Sequence, residues 1–102
     1  MEPAPRQIGG MNVIQFTPID ERHRHTGNCR QIVTGISQGP AAGLAICLDE
    51  RELSFYLFGC DPEWRPVTDT RHETLPEAME QAEFEYEGVT KTWQMHGWTS
   101  WN

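Results

Sequence analysis

Thr74-Leu75-Pro76-Glu77-Ala78-Met79-Glu80-Gln81-Ala82-Glu83-Phe84-Glu85-Tyr86-Glu87-Gly88-Val89 is the stretch whose reading settles the fold class. Thr74 and Glu77 match a capping box, in which the threonine oxygen accepts an early backbone N–H and the glutamate reaches back. Pro76 falls in the first turn, where the N–H it lacks would have no intrahelical partner. Leu75, Met79, Ala82, Tyr86 and Val89 step by four and three, the spacing of one buried stripe. Gly88 suits the left-handed residue that closes a helix. The pattern predicts an amphipathic helix over about 74–88.

Upstream, 41–48 and 53–60 read as a β-hairpin turning at Asp49-Glu50-Arg51-Glu52. Leu44, Ile46 and Leu48 alternate with Ala45 and Cys47, and Leu53, Phe55 and Leu57 with Tyr56 and Phe58, so neither strand has a polar face. Such strands are central and covered on both sides. Asp61-Pro62-Glu63-Trp64 is a turn, after which 65–70 returns as a third antiparallel strand. A further strand is expected over 11–17, ending at Pro18. Residues 19–28 read as a loop. The stretch 29–37 fits a helical stripe or a strand, and its β-branched content with Gly35 favours the strand. Residues 1–10, rich in proline and glycine, are expected to be loose. The Trp-rich tail 91–102 (Trp93, Trp98, Trp101) is expected to pack back or to form a homodimer interface. The whole is a single α+β domain: an antiparallel sheet of 3–5 strands packed against one C-terminal acidic helix.

The chain has 102 residues, enough for one core. Cys29, Cys47 and Cys60 lack zinc-ribbon spacing and read as reduced thiols, two of them in buried strands. The N-terminus lacks the apolar region of a signal peptide, and no apolar run suits a membrane span. A cytoplasmic protein is expected. Net charge is −7, and it is concentrated. Residues 61–90 hold nine acids against two bases, while elsewhere six acids balance six bases. This disfavours nucleic acid and favours a basic partner or solvation.

At about 100° per residue, Glu77, Glu80, Glu83 and Glu87 share one helix sector, with no lysine or arginine on the helix to pair with them. Phe84 projects into that sector. An aromatic among carboxylates is the pattern of a docking surface for a basic, partly apolar partner. The competing reading folds the tryptophan tail over Phe84.

Two other constellations carry possible chemistry. Asp69, Thr70 and His72, with Trp64 upstream, lie around the strand-to-helix junction, where a histidine beside an aspartate could bind a small anion or exchange protons. The competing reading is local hydrogen bonding that fixes the connection. His23, His25 and Cys29 offer three ligands to a transition metal, with His72, His96 or Asp61 as a fourth. Arg22 and Arg24 would repel a dication, and the competing reading is a basic loop lying against the acidic helix. No nucleophile stands at telling spacing, so the sequence leans away from an enzyme, and it calls for no cofactor.

The run Phe55-Tyr56-Leu57-Phe58-Gly59-Cys60-Asp61, then Trp64, then Thr68-Asp69-Thr70-Arg71-His72, Thr74-Leu75-Pro76-Glu77-Ala78 and Gln81-Ala82-Glu83-Phe84-Glu85-Tyr86-Glu87-Gly88-Val89 resembles the signature of a group of small uncharacterised bacterial proteins. That resemblance implies a bacterial, cytoplasmic protein. More loosely, a β-β-β-α unit with Thr74-Leu75-Pro76-Glu77-Ala78 at the helix start is similar to HicB-type antitoxin domains, although no recognisable DNA-binding helix or ribbon follows it here. The second resemblance implies a module that masks a basic toxin, as an immunity protein would. The leading expectation is therefore a non-catalytic interaction module using Glu77, Glu80, Glu83, Phe84 and Glu87. The alternative is a small-ligand or metal-binding domain built on Asp69, His72 and the His23/His25/Cys29 loop.

Overall fold

The structure is a computed structural model that describes residues 1–26 and 40–96, together with the backbone of 32–33 and 36–37. It is α+β, a curled five-stranded antiparallel sheet with one helix packed on it. The strands are β1 (Gln7–Ile8), β2 (Met11–Pro18), β3 (Arg24–His25), β4 (Ile32–Val33), β5 (Ile36–Ser37), β6 (Gly43–Asp49), β7 (Ser54–Cys60), β8 (Pro66–His72) and β9 (Tyr86–Glu87), with α1 (Leu75–Glu85) between the last two. The main sheet runs β1-β2-β6-β7-β8, while β3 pairs with β9 and β4 with β5. The expected hairpin is β6–β7 and the expected return strand is β8. The strand favoured within 29–37 is present as the short β4–β5 pair; the rest of that stretch, Cys29 included, lies outside the described residues.

Alternation along β6 and β7 divides the interior into two layers. Leu44, Ile46 and Leu57 face α1 and pack with Ala78, Ala82, Tyr86 and Val89. Ala45, Cys47, Phe58 and Cys60 face the opposite, concave side, where Ala4, Ile8, Phe16 and Trp64 complete the core. Ala78 and Ala82 are fully buried, and their small side chains let the helix sit close to the sheet. An irregularity in β2 between Val13 and Gln15 leaves Ile14 as an extra residue. Val13 and Phe16, three apart, thereby share the concave face.

The N-terminal segment is not loose. Ala4 and Ile8 are buried, the Val13 N–H donates to the Arg6 carbonyl at 2.9 Å, and the Trp64 indole N–H donates to the Glu2 carbonyl at 2.7 Å. Proline and glycine content misleads here because Trp64, far along the chain, supplies the surface on which this segment packs. Trp93 packs on the helix-side core, and Gln94 exchanges two backbone hydrogen bonds with Phe16 at 2.8 and 3.0 Å. Residues 97–102 lie outside the described residues.

The helix ends earlier than 88. Tyr86 leaves helical geometry (φ −139°, ψ 99°), pairs with His25, and its hydroxyl accepts the Ala41 N–H at 2.7 Å. Gly88 does take the left-handed conformation, at φ 104°, but it opens a 3-10 turn (Val89–Lys91) after β9. No helix among the described residues is long and apolar enough to cross a membrane.

Candidate interaction surface

The outer face of α1 begins at its cap. Thr74 is extended (φ −134°, ψ 156°) and its hydroxyl oxygen accepts the Glu77 N–H at 3.2 Å. The Glu77 carboxylate accepts the Glu73 N–H at 3.3 Å, one residue before the cap. The first of these bonds satisfies a donor that the first turn leaves free.

The carboxylates on this face differ in what they already hold. Glu83 accepts the Gly88 N–H at 2.9 Å and both the N–H and the hydroxyl of Thr90 at 3.1 and 2.8 Å. Partial burial alone would raise its pKa, but these donors hold the carboxyl below its usual range. Glu87 takes a two-pronged ion pair from Arg24 at 3.0 and 2.7 Å, which lowers its pKa as well. Glu85, outside the predicted set, is buried and accepts the Gln81 amide at 2.6 Å. Glu77 and Glu80 are exposed, and among the described residues neither forms an ion pair. Phe84 is 56% exposed.

Two depressions flank this ridge. On one side Pro76 and Met79 form an apolar notch edged by Glu80, Glu83 and Thr90. On the other, an open groove runs between Glu80, Phe84 and Glu87 and the loop carrying Arg22, His23 and Arg24. That loop is the basic segment lying against the acidic helix. The Asp20 carboxyl is drawn down to about 2, chiefly by its hydrogen bonds from Arg22. The His23 ring is fully buried. Its Nδ1 accepts the Asp20 N–H at 3.1 Å, so Nε2 carries the proton and donates to the Thr92 hydroxyl at 2.8 Å. Thr92 donates in turn to Thr17 Oγ1 at 2.7 Å, and Thr17 to the Pro18 carbonyl at 3.0 Å.

Both His23 nitrogens are thus committed, and His25 stacks on Tyr86 at 5.1 Å. Cys29 lies outside the described residues, and among those described no group of three His, Cys, Asp or Glu side chains is arranged to hold a metal. The strand-to-helix candidates are also dispersed. His72 and Thr70 share the helix-side face, with Nε2 and Oγ1 2.8 Å apart. Asp69 stands opposite Phe58 on the concave face, in a groove shared with Tyr56, Asp49 and Asn12. Trp64 is buried beneath the N-terminal segment.

Sequence reasoning missed the internal bonds of Glu83 and the burial of Glu85. The Glu83–Thr90 contact spans seven residues through a left-handed glycine, which an ideal helical projection cannot show. Comparison with known proteins finds no matching family model, no matching curated protein and no matching solved structure.

Proposed function

We propose that this chain is a non-catalytic interaction module of the bacterial cytoplasm that binds a basic protein through the outer face of α1, in the manner of an antitoxin or immunity protein. The observation that carries this reading is Phe84, 56% exposed on the same face as the exposed carboxylates Glu77 and Glu80. A lysine or arginine suits the neighbouring notch: its aliphatic stem lies on Pro76 and Met79 while its charge meets Glu80. Glu83 and Glu87 then act mainly by holding the rim in place, since each is already engaged.

The test is capture from a bacterial lysate with the intact protein, mass-spectrometric identification, and titration of the purified partner. Affinity is expected to fall steeply with salt and to drop about tenfold or more for the pair Glu77→Lys, Glu80→Lys. An affinity unmoved by that double reversal and by Phe84→Ser overturns the reading.

A further inference from the structure

We infer that the groove on the concave face of the sheet binds a linear aliphatic polyamine, one ammonium meeting Asp49 and another Asp69. The groove has a volume of about 890 Å³. The curl of the sheet makes its walls. Gly9, in the β1–β2 turn, comes over the Phe58 ring so closely that a β-carbon there would stand 3.5 Å from Cζ. Asp49, Glu50 and Asp69 line the groove against one base, Arg51, so the potential inside favours a cation.

Strand register fixes the order of these groups. Asp49 pairs with Ser54 and Cys47 with Tyr56, while Phe58 pairs with Asp69. Alternation puts Ser54, Tyr56 and Phe58 on one face. A line from Asp49 on β6 to Asp69 on β8 therefore crosses β7 at Tyr56, with Phe58 beside it. The two rings are near parallel, 15° apart, with centroids separated by 6.0 Å. Two strand spacings and four residues separate the aspartate backbones, on the order of 15 Å. Carboxylates at both ends, with apolar and π-rich surface between, match a ligand whose methylene chain separates two ammonium groups. A single ammonium reaches one end only. A bare metal ion finds no group of three His, Cys, Asp or Glu side chains among the described residues.

The Asp49 end is the more enclosed. Asp49 is only 8% exposed, yet it lines the groove. Its Oδ1 accepts the Arg51 N–H at 3.0 Å, which leaves Oδ2 for a further donor. Opposite it, the Ser54 hydroxyl is buried and has no hydrogen-bond partner among the described residues. An ammonium carries three N–H donors, enough for both. Arg51 already rests a cation on this rim, with Nε 3.9 Å from Asp49 Oδ1, but its side chain is 93% exposed and the contact is weak enough to give way. At the other end Asp69 is exposed and forms no ion pair among the described residues. Arg71, beside Tyr56, is engaged by Glu52 at 3.6 Å. The groove is separate from the outer face of α1, so this site and the proposed partner binding stand or fall independently.

Titrating the full chain with spermidine and with butylamine at physiological salt, read from the ring resonances of Tyr56 and Phe58 by NMR, tests the site. Spermidine is expected to shift both rings and to bind more tightly than butylamine. Asp49→Asn should weaken both ligands about tenfold, by removing an enclosed charged hydrogen bond. Asp69→Asn should weaken spermidine about threefold, as befits an exposed contact, and leave butylamine unaltered. Arg51→Ala, which removes the competing cation, should tighten spermidine about twofold. Glu73→Gln makes the same change of net charge at an exposed position away from the groove and should alter neither ligand. Should Asp49→Asn unfold, the variants at the exposed Asp69 and Arg51 decide. Rings unmoved by millimolar spermidine, equal affinity for the two amines, a folded Asp69→Asn variant that binds spermidine as the parent does, weaker binding by Arg51→Ala, or an equal loss in Glu73→Gln overturns the proposal.

Discussion

Gly88 lies so close to Arg22 that a β-carbon on it would stand 2.7 Å from the Arg22 carbonyl oxygen. With φ at 104°, Gly88 also occupies a conformation that L side chains rarely adopt. This approach seats the basic loop against the end of α1. Gly88→Ala is therefore expected to lose about 2 kcal/mol of stability in urea unfolding, combining backbone strain with a contact that only main-chain movement can relieve. An unchanged midpoint would show that the close approach is not required.

Glu83 predicts an acid-sensitive helix end. Its folded pKa lies below the ordinary value of 4.5, so its stabilisation is complete above that value and is lost as pH falls through the folded one. Glu83→Gln should cost about 1–2 kcal/mol at neutral pH. Stability curves of the two proteins should converge in acid. Parallel curves down to the acid limit would contradict the bonding described.

Gly43 makes room for Trp64, since an added β-carbon would lie 2.6 Å from the indole Cζ3. Gly43→Ala should destabilise by about 1–3 kcal/mol, as overpacking does. It should also displace Trp64 from the Glu2 carbonyl and release the N-terminal segment. Limited proteolysis would detect cleavage within the first ten residues, and a variant as resistant as the parent would refute the coupling.

Burial pushes the Cys47 and Cys60 thiols up to about 12 each. The thiolate is the reactive species, so both should stay unmodified by iodoacetamide at neutral pH while the protein is folded, and react once it unfolds. Peptide mapping showing either one alkylated in the native state would contradict their placement.

Leu53 closes the β6–β7 turn at φ 54° while 74% exposed. Asparagine tolerates that region better and removes apolar surface. Leu53→Asn should raise stability by about 0.5–1 kcal/mol, read as a higher thermal midpoint; a lower midpoint would mean that Leu53 makes an unrecognised contact.

Local signals made the β6–β7 hairpin, β8 and the start of α1 legible. Leu44 to Cys47 alternate with period two, and Thr74 with Glu77 forms a cap within one turn. The end of α1 was not legible, because the hydroxyl of Tyr86 answers to Ala41 and its backbone to His25, both distant in sequence. The N-terminal packing escaped for the same reason, since its partner is Trp64. For the candidate site, the helical projection located Phe84 and the carboxylates on one face. It could not separate Glu77 and Glu80 from Glu83 and Glu87, whose partners Thr90 and Arg24 lie off the helix.

The strand order has a kinetic consequence. β6, β7, β8 and α1 follow one another through short connections, so their contacts form with little loop closure. β2 must find β6 from the far side of the whole segment 19–42, and only then can β1 and Ala4 cover Trp64. Folding should thus begin in the C-terminal two-thirds and finish at the N-terminus. On a ribosome, which releases the chain in the opposite direction, β1 and β2 emerge first and have only each other until the strand that organises them arrives.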